Sequence, residues 1–179
     1  MQSYNLYLEK VINKKDVYSD KFGKPIIFYR GSSGSRADSL IVSDDDPAIF
    51  FADREHLARR YGKVIKSYYL KVKHFFDNAE SFDGIIDALH KLIKNNPTIK
   101  WYKDFLNDLT KYINTINGGV DRNHVITVKL GYKYGVKKFG EVFSSAGYDG
   151  LDYEEDRTVG IFKPEQAIEI KVEKNESVQ

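Results

Sequence analysis

Apolar residues along this chain change their spacing several times, and each change marks a predicted element. Residues 4–13 (YNLYLEKVIN) place Leu6, Leu8, Val11 and Ile12 at intervals that predict a helical face. Gly23-Lys24-Pro25 breaks that pattern. The run 25–29 (PIIFY) has strand length and delivers Arg30 into an expected Gly/Ser turn, Gly31-Ser32-Ser33-Gly34-Ser35. Asp44-Asp45-Asp46-Pro47 reads as a turn before a second apolar run, 48–52 (AIFFA). Asp53 is expected to N-cap a short helix over 54–61, and Gly62 to end it. Residues 64–72 (VIKSYYLKV) are β-branched and aromatic, the composition of a strand.

The period then becomes helical. Ile85, Ile86, Leu89, Leu92 and Ile93 mark a helix over 81–94, and a second is predicted over 99–116. Asn95-Asn96-Pro97 separates them, so the pair reads as a helical hairpin. Residues 124–130 (HVITVKL) alternate and predict a strand, and 133–145 predicts a helix. Gly147-Tyr148-Asp149-Gly150 is a tight turn, with short strands expected at 151–153, 159–162 and 167–172 and a flexible tail at 173–179. Strands interrupted by helices without regular βαβ alternation predict an α+β fold around a mostly antiparallel sheet.

Length and composition narrow this picture. At about 150 residues per domain, 179 residues imply a single domain, expected over 1–172. Hydrophobic residues are 41% and aromatics 14%, enough for a packed core. Lys and Arg together number 28 against 26 acids, for a formal charge of +2, so bulk charge demands neither a nucleic acid nor a membrane. The absence of cysteine excludes disulfides, thiolate nucleophiles and zinc–thiolate sites. His56, His74, His90 and His124 form no H-x-H or H-x-x-x-H pair, so no metal is expected. No apolar stretch matches a signal peptide or the roughly 18 residues of a membrane span, which points to a cytoplasmic protein without a membrane partner.

Three stretches can carry chemistry. Tyr29-Arg30-Gly31-Ser32 presents a guanidinium fork beside accessible backbone amides, which suits a phosphate or carboxylate. Phe50-Phe51-Ala52-Asp53, followed by Tyr61, supplies aromatics that can clamp a flat heteroaromatic ring, or simply fill the core. Glu154, Glu155 and Asp156 precede a strand, where a carboxylate can hold a ribose hydroxyl and stabilise positive charge at an anomeric carbon; a solvated hairpin tip is the alternative. A mix of Lys63, Lys66, Lys71 and Lys73 with Tyr68 and Tyr69 can belong to a nucleic-acid surface or to the wet face of a strand.

In order and spacing these stretches, with Gly147-Tyr148-Asp149-Gly150 and Ile161-Phe162-Lys163-Pro164-Glu165-Gln166, resemble the ADP-ribosyltransferase fold. The likeness runs from Pro25 to about Val172 and looks most like the small domains of phage and mobile-element proteins. It implies an ADP-ribosyltransferase-like, mostly antiparallel split β-sheet with 81–116 as a helical-hairpin insertion. It further implies an NAD+-dependent ADP-ribosyltransferase, a glycosyltransferase that takes NAD+ as substrate and needs no metal. The expected partner is a host protein or nucleic acid, in a bacterial cytosol if the chain is phage-encoded. Under this resemblance backbone groups of Gly31 would hold the nicotinamide carboxamide with Ser32 beside it in the NAD+ site, Phe50, Phe51 and Tyr61 would pack the ring, and Arg30, a catalytic as well as a binding residue, would contact phosphate or ribose. Glu154, Glu155 or Asp156 would be the catalytic acid, because Thr158 stands where the family has Glu. Phe50 and Ala58 likewise replace a Tyr and a Ser of one branch. Those substitutions leave open a catalytically degenerate copy that serves as a binding or virion-associated protein.

Overall fold

The computed structural model describes residues 16–33, 40, 46–116, 119, 121–153 and 157–170. The expected helix at 4–13, the tail at 173–179 and the three acids Glu154, Glu155 and Asp156 lie outside the described residues.

Seven strands and four α-helices are described: β1 (Phe28–Ser32), β2 (Ile49–Ala52), α1 (Glu55–Ala58), β3 (Val64–Leu70), β4 (Phe75–Phe76), α2 (Asp83–Asn95), α3 (Lys100–Thr115), α4 (Arg122–Ser145), β5 (Gly150–Tyr153), β6 (Thr158–Ile161) and β7 (Ala167–Glu169). A 3₁₀ turn, Arg59–Tyr61, extends α1. The strands form one mixed sheet in the order β4-β5-β6-β2-β1-β3-β7, antiparallel except for β4 beside β5.

The expected split is not found: one sheet runs through all seven strands. β1 pairs with β3 over five residues, from Phe28↔Tyr68 to Ser32↔Val64, but with β2 through Tyr29↔Ala52 alone. The sheet is therefore continuous, with its thinnest joint at the β1/β2 boundary.

Strand alternation sends successive residues to opposite faces. Ala48, Leu151 and Tyr153 join one core with Ile85, Leu89, Phe105, Leu109, Ile126, Leu130, Phe139 and Phe143 from the helices. Ile49, Phe51, Val159 and Ile161 join Phe28, Tyr68 and Leu70 in a second core on the other face. Tyr18 and Ile26 pack against that second core.

Three local expectations are corrected. The stretch 124–130 is the first part of α4, not a strand: Asn123, Ile126, Thr127, Leu130 and Gly131 are buried, the i, i+3, i+4, i+7, i+8 rhythm of a helix face. α4 bends at Gly135, whose φ of 72° is left-handed backbone that glycine adopts at low cost. Arg30, Gly31 and Ser32 belong to β1 and not to a turn, because β3 pairs with all three. Asp53 does not cap α1; Arg54 holds the N-cap position with no side-chain cap bond. Asp53 is instead drawn toward Arg157, donating its backbone N–H to the Arg157 carbonyl at 3.1 Å. The helical hairpin is present as α2 and α3, which pack on α4. Among the described residues no helix is long and apolar enough to cross a membrane.

Candidate functional site

β1 is the axis of the site, because two different neighbours claim its two faces. On one face, the Arg30 guanidinium donates from Nη1 to the carbonyl oxygen of Phe50 at 2.9 Å, and its Cζ lies 5.8 Å from the Phe51 ring. Burial pulls the Arg30 pKa below the ordinary arginine value, while Tyr68 and Asp46 act the other way. Arg30 thus spans the seam between β1 and β2.

On the other face, Gly31 lies under the turn formed by α1 and its 3₁₀ extension. A Cβ on Gly31 would come within 1.9 Å of the Ala58 carbonyl oxygen, and one on Gly62 within 2.1 Å of the Ser32 carbonyl oxygen. Only glycines let these backbones meet. The double contact seats Tyr61 beside the end of β1 with 66% of its surface exposed. Ser32 is half-buried, its hydroxyl 3.5 Å from the Val64 carbonyl.

Register places Tyr29 and Gly31 on the same face as Phe50, Ala52, Tyr153 and Thr158. Phe50 is half-buried there, its ring stacked on Tyr153 with centroids 5.7 Å apart. Tyr153 stacks in turn on His124 at 4.2 Å, and its hydroxyl meets the Thr127 hydroxyl at 3.0 Å. Phe50, Tyr153 and His124 make a continuous aromatic wall between β2 and the start of α4. Thr158, 8% exposed, sits in β6 directly opposite Ala52 and Tyr153.

This arrangement sorts the residues singled out by the sequence. Gly31, Phe50 and Tyr61 fall on or beside one surface. Arg30 faces the opposite core. Phe51 is 1% exposed and meets Tyr68 edge-on at 5.1 Å, so it has no surface left for a ligand. Glu154, Glu155 and Asp156 lie outside the described residues, but their neighbour Arg157 is informative. Its φ of 51° is the only positive value at a non-glycine among the described residues. Such backbone is costly for a residue with a Cβ and gathers at functional sites. Arg157 also faces Asp53, Nη1 to Oδ2, at 3.7 Å.

The other two motifs are scaffold. Asp149 accepts the Lys73 and His74 N–H groups at 2.9 and 3.1 Å. Gln166 accepts from the Phe162 and Lys163 N–H groups through Oε1, and donates from Nε2 to the Asp149 carbonyl at 2.7 Å. These bonds lock the turn before β5 to the chain after β6. The Lys/Tyr strand is also less open than its sequence suggests: Tyr68 and Tyr69 are buried, and Lys66 lies 3.3 Å from Glu169.

Tyr29 opens the first motif but was given no role there, and Tyr153 and His124 were not singled out from the sequence; only the register and the α4 contact bring them to this face. Comparison with protein-family models, curated proteins and solved structures returns no match.

Proposed function

We propose that the face bearing Tyr29, Gly31, Phe50 and Thr158 binds NAD+, and that the protein transfers ADP-ribose from it to a macromolecular acceptor. What carries this reading is the Gly31–Ala58 close approach, which seats an exposed Tyr61 beside the end of β1, the strand whose Tyr29 and Gly31 share a face with half-buried Phe50. An exposed aromatic ring beside a strand end, with a half-buried ring on the same face of the sheet, suits a flat carboxamide-bearing ring. Tyr61 stacks on the nicotinamide, and backbone groups of Gly31 hold its carboxamide. Arg30 acts as a positioning residue that keeps β1 and β2 aligned through the Phe50 carbonyl.

In the transfer, the bond between the ribose C1′ and the nicotinamide nitrogen breaks, and nicotinamide leaves with the bonding pair. Positive charge develops on the ribose, and one acid of the set Glu154, Glu155 and Asp156 stabilises it. A nucleophile on the acceptor then bonds to C1′ and gives up its proton. The resemblance to phage and mobile-element domains makes a bacterial host macromolecule the expected acceptor.

Thr158 favours a second reading: a neutral, buried residue at the family's acid position fits a copy of the fold that binds a nucleotide without transferring it. Incubation with labelled NAD+ and bacterial lysate tests both. The transferase reading expects released nicotinamide and a labelled macromolecule, with Glu154→Ala/Glu155→Ala/Asp156→Ala lowering both about tenfold or more. Thermal stabilisation by NAD+ without turnover selects the binding reading. Absence of turnover and of stabilisation overturns both.

A further inference from the structure

Arginine is scarce in this chain, 7 residues against 21 lysines, yet Arg54, Arg59, Arg60 and Arg157 all belong to the α1 turn or face it. The two described acids of that turn are already engaged. Glu55 pairs with Arg59 at 2.5 Å, and Asp53 faces Arg157 at 3.7 Å. Arg54, Arg60 and Lys63 are exposed and make no ion pair among the described residues. Their backbone is fixed all the same, because Gly31 and Gly62 clamp this turn to the end of β1. The result is a rigidly mounted cationic rim beside the face proposed to bind NAD+.

We propose that this rim, Arg54, Arg60 and Lys63, docks the phosphodiester backbone of a nucleic acid, which is the acceptor class of the reaction. The acceptor role rests on the transferase reading; the docking itself needs no NAD+. Guanidinium forks pair bidentately with phosphate oxygens, and exposed unpaired cations release counterions when they do so. Their concentration at one turn, where the other exposed Lys and Arg side chains away from it are all lysine among the described residues, is what points to phosphate recognition and not to general solubility.

The test is fluorescence anisotropy of short single-stranded RNA and DNA oligonucleotides with the full chain, without NAD+, across a salt series. Binding is expected to weaken linearly with the logarithm of salt. The triple variant Arg54→Ala/Arg60→Ala/Lys63→Ala should weaken it about tenfold or more and reduce the salt slope by about two, at roughly 0.7 per lost contact. Removing the same charge from the helical hairpin, with Lys91→Ala/Lys94→Ala/Lys103→Ala, should change affinity less than about twofold. No binding at low salt, or equal losses in the two triple variants, overturns the proposal. Displacement of the oligonucleotide by polyglutamate of equal charge overturns it in favour of an acidic protein partner. NAD+ binding measured on the same triple variant keeps the two readings apart: oligonucleotide binding can fail while NAD+ binding stands, and the reverse.

Discussion

The Arg30 guanidinium reaches across the sheet to the Phe50 carbonyl oxygen, 2.9 Å away, at the point where β1 and β2 share a single backbone pair. A side chain thereby supplies cohesion that a strand ladder would ordinarily provide. Arg30→Ala strips the partner from a half-buried carbonyl and removes the contact with the Phe51 ring. The expected loss is about 2 kcal/mol in a urea titration. Arg30→Lys should recover only part of it, because an ammonium lacks the planar fork. An alanine variant as stable as the parent would show that the seam holds without this bond.

The mounting of the α1 turn makes a prediction of opposite sign at different glycines. Gly31→Ala and Gly62→Ala drive a methyl group into backbone carbonyls at 1.9 and 2.1 Å, so each should cost about 2 kcal/mol or more. Gly84 lies in α2 with nothing within 4 Å of its missing Cβ, and Gly84→Ala should stabilise by up to about 1 kcal/mol. Thermal unfolding of the three variants checks the signs. Tolerance of alanine at Gly31 would mean that α1 does not sit on β1.

Alkaline pH should weaken the fold through phenols held among the helices. A hydrogen bond to Glu141, with burial, pushes the Tyr102 phenol up to about 12. Burial, with a hydrogen bond to Glu80, pushes Tyr148 up to about 12. In both cases the folded state holds its proton more tightly than the unfolded chain, whose phenols titrate near 10. Stability is therefore fully present below pH 10 and falls as pH rises from about 10 to about 12. The urea midpoint followed over this range should fall, and Tyr102→Phe/Tyr148→Phe should flatten the fall. An unchanged slope in the double variant would show that other groups set the alkaline limit.

The α2–α3 hairpin was legible from its helical period, and strands 49–52 and 64–70 from short apolar, β-branched and aromatic runs bounded by turn residues. The segment 124–130 was misread for the opposite reason. Val125, Ile126, Thr127 and Val128 are β-branched and fit an alternating strand, but the same letters place Ile126 and Leu130 four apart. The helical core, which buries both, decided between the two patterns. The site was legible in part. Gly31, Phe50 and Tyr61 are marked by their motifs, whereas the side toward which Arg30 points depends on strand register, which no local spacing encodes. Gln166 stands in a motif, but its bonds to the Phe162 and Lys163 amides and the Asp149 carbonyl join positions up to 17 residues apart.

Tyr61 separates binding from stability. With 66% of its surface exposed it contributes little to the fold, so Tyr61→Ala should leave the urea midpoint nearly unchanged. A large loss of stability would show that the ring is part of the core rather than a surface for a ligand.

The most direct measurement of the central claim is a calorimetric titration of the intact protein with NAD+. Saturable one-site binding is expected, weakened about tenfold by Tyr61→Ala as a stacking surface is lost. Absence of binding at millimolar NAD+, or full-strength binding by the Tyr61→Ala variant, would contradict the assignment of this face as the nucleotide site.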